Sequence, residues 1–185
     1  MNKKVIFITQ TAVMLALLIG AQFATRGFST FVTGSLVNMI LLVSTFIIGR
    51  RSGLVVALLS PLLAFLAGIG PAFIQIIPFM AAGNAILVLI ASFVSRYIAK
   101  SSVKDIIFMT TGLIIAAAAK MAFLWVALVL IALPMIPGLN ERQITMISAA
   151  FSWPQGVTAS IGAMLAMTIV PLLKRALKNK LSDPL

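Results

Sequence analysis

Residues 106–133 read IIFMTTGLIIAAAAKMAFLWVALVLIAL, an apolar run of 28 positions interrupted by a single charge, Lys120. A helix that crosses the ~30 Å hydrocarbon core of a bilayer needs about 20 apolar residues. The run exceeds that length and is apolar on every face, as a helix surrounded by lipid must be. Five further runs share its character, at roughly 5–23, 33–48, 53–68, 72–94 and 148–173. Membrane-barrel strands would alternate apolar and polar residues over about ten positions, and none of these runs does. The expected fold is an all-α integral membrane protein of six transmembrane helices, residues 1–185 forming a single domain without repeats or linkers.

Composition supports this expectation. Of 185 residues, 62% are hydrophobic and 9% charged, where a soluble domain carries about 25% charged residues. The formal net charge of +11 would point to nucleic acid in a soluble protein, but here the basic residues cluster between apolar runs, which is a signature of topology. No nucleic-acid partner is expected. The start, Met1 to Lys4 followed by an apolar run, resembles a signal peptide. That run is longer than a usual signal core and has no clear small-x-small cleavage site, so it is expected to remain as the first span.

Alternate connections differ sharply in charge. Lys3 and Lys4, Arg50 and Arg51, Arg96, Lys100 and Lys104, and Lys174, Arg175, Lys178 and Lys180 fall on one side, against Arg26 and Arg142 on the other. The positive-inside rule then places both termini in the cytoplasm of a multi-pass plasma-membrane protein.

Little in the chain is equipped for covalent chemistry. Cysteine and histidine are absent, and the three acids, Asp105, Glu141 and Asp183, fall in connections or the tail. No catalytic residue, metal ligand or cofactor site is expected, and the phosphate loop of an ATPase is missing. The acid-free spans also lack the ionisable relay of a proton-driven carrier. A sodium site built from carbonyls and hydroxyls would leave almost no trace in sequence.

The polar residues inside the spans are therefore the candidates for binding. Lys120 lies about 14 positions beyond the start of its run, some 21 Å into the core and in its outer third. It either faces a cavity and pairs with a ligand's carboxylate, phosphate or carbonyl, or snorkels outward along its stem. The amides gather on the same side: Gln22 and Asn38 near outer helix ends, Gln75 at the outer start of the fourth run, Asn84 at mid-depth and Gln155 in the outer half of the sixth. Only Gln10 lies in the inner half. Unpaired amides are costly in lipid, so these face one another, water or a ligand. Trp125 and Trp153 are suited to stacking on a ligand ring or to anchoring at the interface. Prolines at 61, 71, 78, 154 and 171 either kink helices to open a cavity or simply punctuate them.

Ala12, Ala16 and Gly20 recur every four residues, so they form one smooth stripe on the first helix. The stripe packs within the chain or offers a docking face to another protein.

With these features the chain resembles the S components, the substrate-binding membrane subunits of energy-coupling factor vitamin importers. The resemblance rests on size, six helices, cytoplasmic ends, the missing nucleotide site, and the AxxxA pattern of Ala12 and Ala16. The stretches from Thr33 to Asn38 and from Pro78 to Asn84 also look like segments of that group. The resemblance implies a transmembrane coupling subunit docked on the stripe, driven by two cytoplasmic ATPases. It also implies a water-soluble vitamin held near the outer surface beneath a loop at 26–33. The substrate-binding candidates are then Lys120, Asn84, Gln155, Trp153, Asn38, Gln75 and Arg26. The vitamin stays open between a pantothenate-like monoanion and a bulky cobalamin-type ligand. The alternatives are a self-sufficient carrier or channel and, less favoured by the residue inventory, a membrane enzyme.

Overall fold

Asn2 starts the first helix, its side-chain oxygen accepting the Lys4 amide at 3.0 Å and satisfying one of the donors that every helix start leaves free. The computed structural model describes residues 2–70, 73–98 and 102–182. Pro71, Ala72, Lys100 and Asp183 lie outside the described residues. Every described element is helical: α1 Lys3–Thr25, α2 Thr30–Ile47, α3 Arg50–Leu66, α4 Ile77–Val94, α5 Val103–Phe123, α6 Glu141–Ala150 and α7 Trp153–Ser182. A short 3-10 turn, Ile74–Ile76, leads into α4, and α5 continues through a π-helical stretch, Leu124–Ala132.

Five helical stretches are long and apolar enough to cross a membrane: Lys3–Thr25, Thr30–Ile47, Ile74–Tyr97, Val103–Met135 and Glu141–Leu177. The remaining helix, α3, has 17 residues with Pro61 inside it. Large apolar side chains cover the outside of the bundle, Leu17, Ile114, Ile131 and Met164 each being more than half exposed.

The sixth expected run is two elements rather than one. Asn140 and Gln143 form a reciprocal capping box that starts α6, well before the expected start at 148. At Phe151 the backbone leaves the helical region, and Trp153 opens α7 with Pro154 in its first turn, where the missing amide costs no hydrogen bond. Pro78 likewise stands in the first turn of α4, whereas Pro61 and Pro171 lie inside α3 and α7.

Helices in lipid gain nothing from burying apolar surface against each other, so close packing of small residues holds them. At Gly162 of α7 an added Cβ would sit 2.8 Å from both the Ser35 carbonyl oxygen and the Met39 amide nitrogen of α2, so this glycine lets two backbones touch. One apolar core joins Leu42, Leu87, Ala116 and Ala166 from α2, α4, α5 and α7. A second joins Leu18, Leu41, Val56 and Val88 from α1 to α4. A chain of hydroxyls runs from α1 through α3 to α2: Thr11 donates to Ser52 of α3 at 2.9 Å, and Ser52 lies 2.9 Å from Ser44 of α2. Of α1 only Thr11 and Leu18 are buried.

Candidate functional site

Asn38 lies eight positions into α2 and Asn84 seven positions into α4, so a rise of ~1.5 Å per residue sets both about 10–12 Å below the ends where those helices start. Lys120 approaches from the opposite direction, near the end of α5. The three side chains meet. The ammonium of Lys120 donates to Asn38 Oδ1 at 2.6 Å and to Asn84 Oδ1 at 2.7 Å. Lys120 is 3% exposed, so it does not snorkel to the surface.

The amide of Asn38 is oriented by its other end. Its Nδ2 donates to the Gly34 carbonyl at 2.9 Å and to Thr158 Oγ1 at 3.4 Å, which turns Oδ1 toward the lysine. Gly34 makes this possible, since a Cβ there would lie 3.0–3.2 Å from Thr158. On the α4 side Gly83 admits Leu124, whose atoms would stand 3.0–3.2 Å from a Cβ. The helical register changes at that point: Leu124 N–H donates to the carbonyls of both Lys120 and Met121 as α5 passes into its π-helical stretch. Such widened turns recur at functional sites because they re-aim the side chains around them.

Asn38, Asn84 and Lys120 line a cavity of about 520 Å³. An ammonium has three N–H donors; two are taken by the asparagines, and the third has no acceptor among the described residues. Above this polar group the walls are apolar, with Phe73, Ile76, Met80, Leu124 and Phe151 among them. The rim comes from the α1–α2, α3–α4 and α5–α7 connections, through Arg26, Phe28, Gly70, Gln143 and Met146. These are the connections that carry few basic residues.

The structure therefore brings together Lys120, Asn38, Asn84, Gln155 and Arg26, with Gln22 beside them. Gln155 is half-buried at the start of α7 and donates to the Ala150 carbonyl at 3.0 Å. Arg26 lies over the Phe23 ring, 4.6 Å from its centre. Gln75 is exposed on the turn before α4 and does not line the cavity. Trp153 is also outside it, 62% exposed and tilted against Phe31 at a ring separation of 5.6 Å. Trp125 is about half exposed on the outside of the bundle. Ala12, Ala16 and Gly20 are all exposed, and nothing lies within 4 Å of where a Gly20 Cβ would be.

Several lining residues were missed from sequence. Gln143, Met146 and Ile147 belong to the part of α6 that precedes the expected sixth run at 148. The pairing of Asn140 with Gln143 three residues on, ahead of apolar residues at helical spacing, is a start signal that would have found it. Ser60, buried in α3 beside Pro61, also borders the cavity and its hydroxyl has no partner among the described residues.

No protein-family model matches the chain, and neither a curated protein nor a solved structure matches it.

Proposed function

We propose that the chain is the substrate-binding membrane subunit of an energy-coupling factor importer, spanning the plasma membrane six times with both termini in the cytoplasm. In this reading it captures a water-soluble vitamin or related micronutrient at the outer face. A transmembrane coupling subunit and two cytoplasmic ATPases then power its release inside.

The observation that carries the reading is the cavity floor. A buried lysine, clamped by two amide oxygens and retaining one free donor, lies beneath about 520 Å³ of largely apolar space. The described residues provide no acceptor for that donor, so a ligand carboxylate or carbonyl oxygen would supply the missing partner. The apolar walls suit a small organic body behind that head group, as drug-sized pockets of 300–1,000 Å³ generally do. The site has the parts for binding: a cationic donor, two amides that hold it and an apolar wall.

Two further observations support it. The cavity rim lies at the end of the bundle whose connections hold few basic residues, which the positive-inside rule assigns to the outside. The small-residue stripe of α1 is open rather than packed within the chain, as a docking face must be.

Copurification from native membranes tests the proposal. The binding subunit brings down a larger membrane protein and two ATPases and transports nothing alone in liposomes. Ligand uptake by the purified chain by itself would instead establish the self-sufficient carrier.

A further inference from the structure

A second cavity, of about 390 Å³, lies at the other end of the bundle, where α2 passes into α3 and α4 ends. Three cations from three separate elements converge on it: Arg50 from the first turn of α3, Arg96 from the turn after α4, and Lys174 from α7. Among the described residues none of the three forms a salt bridge and no acid lines the cavity, Arg96 resting instead over the Tyr97 ring, 4.9 Å from its centre. Like charges gathered without a counter-ion repel one another. If topology alone required these cations, their side chains would be free to spread apart over the surface.

The lining is also open to an anion in detail. Gly49, with φ +124°, contributes no side chain, and α3 begins there without a side-chain cap. Beside the cations stand Ile47, Ile48 and Phe93, the last 70% exposed. A charged pocket bordered by the exposed Phe93 ring and the half-buried Ile47 and Ile48 at the end of a spanning helix matches a molecule with an anionic head and an apolar tail.

We propose that this pocket is a binding site for the phosphate of an anionic phospholipid headgroup, held by Arg50, Arg96 and Lys174, with the acyl chains descending along Phe93. Arginine suits this role because its planar fork grips phosphate oxygens in pairs. The inference rests on the chain being embedded in a bilayer. It does not rest on the transport reading, and it survives if the outer cavity proves to have another purpose.

The test is lipid titration of the purified full chain in detergent micelles, followed by native mass spectrometry. Phosphatidylglycerol should bind to the wild type as a discrete complex, while phosphatidylcholine should bind far less. Replacing the three cations together (R50Q, R96Q and K174Q) should weaken phosphatidylglycerol binding by roughly a hundredfold, since each basic residue near an anionic surface is worth about a factor of five. A control triple substitution, K3Q, K4Q and R51Q, removes as much charge away from the pocket and should leave binding within about threefold. Should the pocket triple fail to fold, K174Q alone should still weaken binding by about fivefold. Equal binding of the two lipids, or equal losses in the pocket and control triples, would overturn the site. Displacement of the lipid by millimolar inorganic phosphate would overturn the lipid as its occupant and leave a free-phosphate site.

Discussion

Lys120 and Asn38, 82 positions apart in sequence, are joined by a 2.6 Å hydrogen bond that closes α2 against α5 in the middle of the bundle. The bond couples stability to the site. Asn38→Leu strands a buried ammonium with one acceptor fewer, and Lys120→Met strands two amide oxygens. Each single change should cost ~1.5–3 kcal/mol, the range for a hydrogen bond to a charged group. The double variant should lose less than the sum, with a coupling energy of ~0.5–3 kcal/mol. Unfolding of the four proteins in micelles measures this; strict additivity would mean the bond contributes nothing.

The contact between α2 and α7 makes a second, purely steric prediction. Gly162→Ala drives a methyl group into the Ser35 carbonyl and the Met39 amide, and neither backbone atom can swing aside. Overpacking of this kind costs ~1–3 kcal/mol. Gly20→Ala meets nothing within 4 Å and should be neutral or stabilising by up to ~1 kcal/mol. A thermal unfolding comparison in which both behave alike would refute the tight α2–α7 approach.

Much of this architecture was legible in the apolar runs, because a segment with no polar face has few choices other than a buried helix. Five of those runs became helices long and apolar enough to span. The α6–α7 break at Phe151 was not legible from hydropathy, since Ala149, Ala150 and Phe151 continue the apolar pattern and only the Asn140 cap and Pro154 mark the division. The site was legible as residue types and depths. Lys120, Asn38 and Asn84 each stood out as polar groups in lipid-length helices. That they bond one another depends on which helices are neighbours, and a single sequence does not encode that visibly. Gln75 and Trp153 share the correct end of the bundle with the cavity yet point elsewhere, because depth specifies a level and not a direction.

On the importer reading proposed above, the α1 stripe separates docking from binding. Ala12 and Ala16 are exposed and remote from the cavity lining, so Ala12→Leu with Ala16→Leu should leave folding and ligand retention unchanged. The added side chains hold a partner helix away, and copurification of the coupling subunit and ATPases should fall below detection. Unchanged assembly in the double variant would remove the stripe from the interface.

Orientation has its own check. Reporter fusions at the C-terminus and within residues 96–104 should both read cytoplasmic, as the clustering of basic residues requires. An external signal at either position would turn the cavity rim to the inside and end the case for capture from the medium.

The central claim is that Lys120 holds a ligand, and its most direct test is mass spectrometry of the small molecules released from the purified protein. Wild type should release one compound in stoichiometric amount, bearing a carboxylate or carbonyl acceptor. Lys120→Met, checked to be folded and monodisperse, should retain roughly a tenth of it or less, since losing a charged hydrogen bond of ~1.5–3 kcal/mol is at least a tenfold loss of affinity. Equal amounts of the same compound from both proteins would contradict the account.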